Sequence, residues 1–99
     1  MADAIGAAAF LERFTAWHAA DDGRDAVKRV FKFADFKTAW AFMSAAALKA
    51  EQMDHHPEWF NVYGKVEVTL TTHDANGVTE RDAALAEFMD RFASSLGLD

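Results

Sequence analysis

Glu51-Gln-Met-Asp54-His55-His56-Pro57-Glu58-Trp59-Phe60-Asn61-Val62-Tyr63, then Lys65-Val-Glu-Val-Thr-Leu-Thr-Thr72, is the stretch from which the fold is read. Pro57 biases the residue before it away from helical backbone, so a helical region ends there. Trp59 to Tyr63 then predicts a short strand. Lys65 to Thr72 alternates, with Val66, Val68 and Leu70 facing one way and Glu67, Thr69 and Thr71 the other. A period of two is the mark of a half-buried strand. If the strand runs further, the same parity puts His73 with Thr71, away from the aliphatic face.

Upstream, Asp35 is a good N-cap for a helix over Phe36 to Met53. Phe36, Trp40, Met43, Ala47 and Ala50 make one apolar stripe, and Ala39, Phe42 and Ala46 make a second beside it. The arc is wider than one sheet face usually covers. It fits a deeply buried central helix, or a helix held between its own sheet and a second subunit. Ala7 to Phe14 predicts a first short helix, with Phe10, Leu11 and Phe14 at helical spacing. Thr15 to Ala20 is a candidate strand around Trp17, and Asp21-Asp22-Gly23 is a turn signal. Ala26 to Phe33 places Val27, Phe31 and Phe33 on one face and Lys28 and Lys32 on the other, so the pair predicts a hairpin. Arg29 and Val30 break that alternation. Downstream, Asp74 to Gly77 is a turn, and Thr79-Glu-Arg-Asp82 has the form of a capping box with Asp in third place. Leu85, Phe88, Met89, Phe92 and Leu96 form the stripe of a last helix. The order α-β-β-α-β-β-α predicts one α+β domain over 1–99: a four-stranded antiparallel sheet with helices packed on one face.

The chain has 99 residues, 52% of them aliphatic or aromatic, so a core can form without staples. It has no cysteine, which excludes disulfides and thiolate chemistry. A formal net charge of −6 argues against nucleic acid and against anionic membrane surfaces. No apolar run is long enough to span a bilayer. The first residues, Met1-Ala-Asp-Ala-Ile-Gly6, carry an acid and no base, unlike a secretory signal. A cytoplasmic protein is expected.

Three of the four histidines, His55, His56 and His73, fall in two short stretches, flanked by Asp54 and Asp74. Histidine both gives and takes a proton near neutral pH. Surface or capping histidines are one reading. A metal site is a second, but adjacent histidines diverge in direction and the i, i+4 pair of helical zinc sites is absent. The third is metal-free general acid–base catalysis, with the neighbouring carboxylates orienting the rings. No serine or cysteine lies near the cluster to act as a nucleophile, and Thr71 and Thr72 are at most substrate ligands. His18 stands alone and is expected to be structural or exposed. Trp59 and Tyr63 more often mean core than ligand stacking, though Trp59 is close enough to the cluster to wall a pocket.

The run Glu51-x-x-Asp-His-His-Pro-Glu-Trp-Phe-Asn-Val-Tyr63, the Val-x-Val-x-Leu strand, Thr72-His73, Gly77 and Thr79-Glu-Arg-Asp82 resemble the pterin-4a-carbinolamine dehydratases. The resemblance extends upstream through Gly23-Arg-Asp-Ala26, Phe31-Lys-Phe33, Asp35-Phe36 and Phe42-Met43, from about Trp17 to the last helix. It implies dehydration of 4a-hydroxytetrahydropterin to quinonoid dihydropterin, serving the cofactor cycle of the aromatic amino acid hydroxylases. It implies neither a metal nor a bound cofactor. Three catalytic histidines match His55, His56 and His73, with His55 expected as acid and the others positioning the pterin or acting as base. Asp54, Thr71, Thr72 and Asp74 match pterin contacts, and Glu51, Trp59 and Asp82 match residues lining the same pocket. The resemblance also implies a homodimer or homotetramer. Animal members bind the dimerisation domain of a transcription factor through the long helix, so an interaction module is the alternative function.

Overall fold

The computed structural model describes residues 3–98; Met1, Ala2 and Asp99, the ends of the expected domain, lie outside the described residues. Helix α1 (Ala7–Arg13) leads into a two-residue strand β1 (His18–Ala19), which pairs antiparallel with β2 (Val27–Lys32). Helix α2 (Phe36–Met53) follows, then β3 (Glu58–Val62), β4 (Lys65–Leu70), a single 3-10 turn (His73–Ala75) and helix α3 (Glu80–Ser95). The sheet order is β1-β2-β4-β3, antiparallel throughout. The expected α+β architecture and element order are therefore present. Among the described residues no helix is long and apolar enough to cross a membrane.

Each element follows from its residues. The Asp35 carboxylate accepts from the Thr38 N–H and hydroxyl at the start of α2, and these bonds hold Asp35 below the usual carboxylate range. Thr79 caps α3, and its capping box is closed by Asp82. Gly64 joins β3 to β4 where a side chain would collide with the Phe33 carbonyl oxygen. The Gly64 carbonyl in turn accepts the Phe33 N–H.

The core lies between the sheet and the helices. Val66, Val68 and Leu70 of β4 are buried with Val27, Phe31 and Phe33, against Ala39, Phe42, Ala46 and Ala50 of α2 and Leu85, Ala86 and Met89 of α3. Of the two α2 stripes, the one with Ala39, Phe42 and Ala46 faces the core, joined by Ala50. Phe36, Trp40 and Ala47 remain exposed, and Met43 is half-buried. The strand expected over Thr15 to Ala20 shrinks to His18–Ala19. The Trp17 N–H bonds the Phe14 carbonyl, a turn that drops the indole into the core edge-on to Phe10 and Phe31. Arg29 breaks the β2 alternation because it stays on the core side. Its guanidinium lies over Phe31 and donates to Asp90, which also takes the Trp17 indole N–H. Burial pushes the Asp90 carboxyl up, against the pull of Trp17 and Arg29.

Candidate active site

The end of α2 places the first histidine. Asp54 takes a left-handed backbone (φ 51), the His55 N–H bonds the Ala50 carbonyl and the Asp54 N–H bonds the Glu51 carbonyl. This is a Schellman closure with Asp where glycine is usual. It turns His55 inward, where it is buried, while His56 stays exposed.

The His55 Nε2 lies 2.6 Å from Oδ1 of Asp82, which is fully buried. Asp82 Oδ2 accepts the Thr79 N–H at 2.9 Å and the Thr72 hydroxyl at 2.8 Å. Thr72 and Thr79 share a further 2.8 Å hydroxyl bond. A carboxylate has only acceptors to offer, so the proton on that histidine edge belongs to Nε2 and Nδ1 carries the lone pair of the neutral ring.

The other two imidazoles repeat the pattern. His56 Nε2 lies 2.8 Å from Glu51 Oε1 across the last turn of α2. His73, strongly exposed on the 3-10 turn, has Nε2 3.3 Å from Glu58 Oε2. Glu58 is in turn gripped by Arg24, which holds it below the usual carboxylate range against some desolvation, with His73 adding to the effect. Arg24 pulls Asp22 down likewise.

These groups gather at one end of the sheet, where α2 ends, β3 begins, β4 ends and α3 begins. A cleft of about 490 Å³ opens there, lined by Gly23, Arg24, Asp25, Thr71, Thr72 and His73, with Asn76. Thr72 connects the cleft to Asp82, and through it to His55. A larger open groove of about 570 Å³ runs between α2 and α3, past Lys49, Phe88 and Arg91, but holds none of the histidines. Of the two, the smaller cleft is the one that a histidine, His73, lines. Among the described residues no three His, Asp or Glu side chains converge as a metal-holding group.

Residues 3–92 match the family described as pterin 4 alpha carbinolamine dehydratase. The chain belongs to this family. A Paraburkholderia xenovorans protein, provisionally named a pterin-4-alpha-carbinolamine dehydratase, is 68% identical over 74 residues, covering 75% of this chain and 76% of its own. A relative from Burkholderia multivorans with the same provisional name is 57% identical over 84 residues, covering 85% of this chain and 81% of its own. The crystal structure of a transcriptional coactivator/pterin dehydratase from Brucella melitensis superposes with a TM-score of 0.82 at 52% identity. That match covers 87% of this chain and 90% of that one.

In this pterin dehydratase scaffold the residues singled out from sequence do not all come together. His55, His56, Glu51 and Asp82 are joined as imidazole–carboxylate pairs, and Thr72 and His73 reach the cleft. Thr71 also lines it, its hydroxyl donating to the Asp25 carbonyl. Asp54 and Asp74 are exposed, and the carboxylates at the three Nε2 atoms are Glu51, Glu58 and Asp82 instead. Trp59 is half-buried, packed against the core. His18 is exposed in β1. Sequence reasoning missed Arg24 and Glu58 as site residues. The available signal was a single arginine set among three acids and a glycine, Asp21-Asp-Gly-Arg-Asp25.

Proposed function

We propose that this protein dehydrates a 4a-hydroxytetrahydropterin, releasing water and the quinonoid dihydropterin. The observation that carries the reading is the gathering of three imidazoles at one end of the sheet, each with Nε2 against its own carboxylate. The reaction breaks the C4a–O bond. An acid protonates the leaving hydroxyl, and a base takes the proton from N5 as the C4a–N5 double bond forms. Oxidation level is unchanged, and an acid and a base suffice for the elimination, so the reading includes neither a metal nor a bound cofactor. His55 is assigned as acid, with His56 and His73 positioning the pterin or acting as base. Glu51, Asp54, Trp59, Thr71, Thr72, Asp74 and Asp82 are assigned to pterin binding, and of these Thr71 and Thr72 line the cleft. The product would return, after reduction, to an aromatic amino acid hydroxylase.

The second reading is an interaction module working through α2. It is favoured by the exposure of Phe36, Trp40 and Leu48 on that helix and by the coactivator description of the Brucella protein. The two readings are compatible, and only the first needs the histidines. The test is loss of chemically generated 4a-hydroxytetrahydropterin, followed by absorbance with and without a chelator. Acceleration that persists in chelator is expected. Activity abolished by chelation and restored by zinc would sink the mechanism.

A further inference from the structure

We propose that Glu58, clamped by Arg24, is a positioning residue that fixes His73 as a base acting through Nδ1. The inference rests on the dehydratase reading and assigns roles within that site. Glu58 is the first residue of β3 and His73 follows the end of β4, so antiparallel pairing brings them to the same end of the sheet. Arg24 arrives from the turn before β2, where Gly23 adopts a left-handed backbone (φ 86).

The contacts form a chain of four groups. Asp22 Oδ2 takes Arg24 Nε at 2.9 Å and Nη2 at 2.6 Å, and Asp22 Oδ1 takes the Arg24 backbone N–H at 3.1 Å. Arg24 Nη1 and Nη2 then reach the two oxygens of Glu58, at 2.7 and 2.9 Å. His73 Nε2 completes the chain on Glu58 Oε2. Exposed ion pairs contribute little to stability one at a time. A planar fork held by one carboxylate and gripping a second is different in kind, because it fixes the direction of the second carboxylate.

An oriented acceptor on an exposed imidazole sets both ring angle and tautomer. Nε2 keeps its proton and Nδ1 keeps its lone pair. The downward pull of Arg24 on Glu58 keeps that acceptor ionised. Exposure also suits the assignment. A base that has taken the N5 proton must return it to water before the next turnover, and His73 lines the open cleft whereas His55 is buried.

The experiment uses the full chain with Glu58→Gln and, separately, Arg24→Gln. Turnover, KM and the imidazole ¹⁵N shifts of His73 are measured for each. Glu58→Gln is expected to lower kcat about 10-fold, with KM changed no more than about twofold. Arg24→Gln should move kcat in the same direction. It should also raise the midpoint of the Glu58 carboxyl titration, which Arg24 holds below the ordinary carboxylate range in the unaltered protein. The His73 nitrogens should shift from one dominant tautomer toward an exchanging mixture in both variants. Unchanged kcat and unchanged His73 nitrogen shifts in both would overturn the proposal. If the unaltered protein has no dehydratase activity, the functional reading falls. The nitrogen shifts then decide the positioning alone: a change in both variants supports it, and no change removes it.

Discussion

Asp82 has no solvent exposure, and its two oxygens answer three donors: His55, Thr72 and the Thr79 backbone. One side chain therefore caps α3, closes the junction with the end of β4 and holds the buried histidine. Asp82→Asn keeps the shape but replaces one acceptor by a donor. Whichever way the amide turns, it meets either the His55 Nε2–H or the Thr79 N–H, and the backbone donor cannot reverse. The expected cost is about 2–4 kcal/mol, read as a lower urea midpoint at unchanged slope. Turnover should fall about 100-fold, because the ring assigned as the acid loses its anchor. Wild-type turnover in a folded Asp82→Asn protein would remove His55 from the acid role. At this scale the histidines were legible as a cluster, but their partners were not. Asp54 and Asp74 are neighbours in sequence, whereas the acids at the rings lie 5, 15 and 27 positions away. Only the fold sets those distances, and no local spacing encodes them.

The ends of elements, rather than their middles, carry the site. Helix α2 was legible because Asp35 and Pro57 bracket it. What its wide apolar arc left open was which stripe meets the sheet. Packing against β4 and α3 selects the alanine-rich stripe with Phe42, since small residues let helix and sheet approach closely. At its far end Asp54 holds a left-handed backbone, which costs an L-residue up to about 1–2 kcal/mol, less for Asp. Asp54→Gly removes that strain, partly offset by a more flexible unfolded chain. The net expected change is a gain of about 0.5 kcal/mol, seen as a higher urea midpoint. The same variant should raise KM, because Asp54 is assigned to the pterin contacts. A gain in stability with KM unmoved would take Asp54 out of the pocket and leave it as helix terminus alone. The short β1 shows the opposite limit of legibility. Trp17 satisfied a strand pattern, but its indole finds better packing between Phe10 and Phe31 from a turn.

Across the molecule, element order was legible, but the position of β4 between β2 and β3 was not. The α2 connection skips one strand, leaving a gap that the β3–β4 turn then fills, and local periodicity carries no record of such a skip. The arrangement leaves apolar surface on both sides of the sheet. Phe36, Trp40 and Leu48 stand out from α2, while Phe60 and Val62 are exposed on β3, an edge strand. An uncovered edge strand and an uncovered helix face are both surfaces that proteins commonly cover with a partner. Assembly into two or four chains is therefore expected, and light scattering at micromolar concentration should show no 11.0 kDa species. Trp40 is 56% exposed and stacked on Phe36, so Trp40→Glu should leave the monomer fold intact. If α2 is an interface, the same change buries an unpaired carboxylate there, and the assembly should lose an order. A variant that keeps the full assembly would move the contact to the sheet, where Phe60→Lys becomes the informative change. A clean monomer in the unaltered protein would remove the oligomer and α2 as a contact between copies of this chain, leaving the histidine site to stand on its own chemistry.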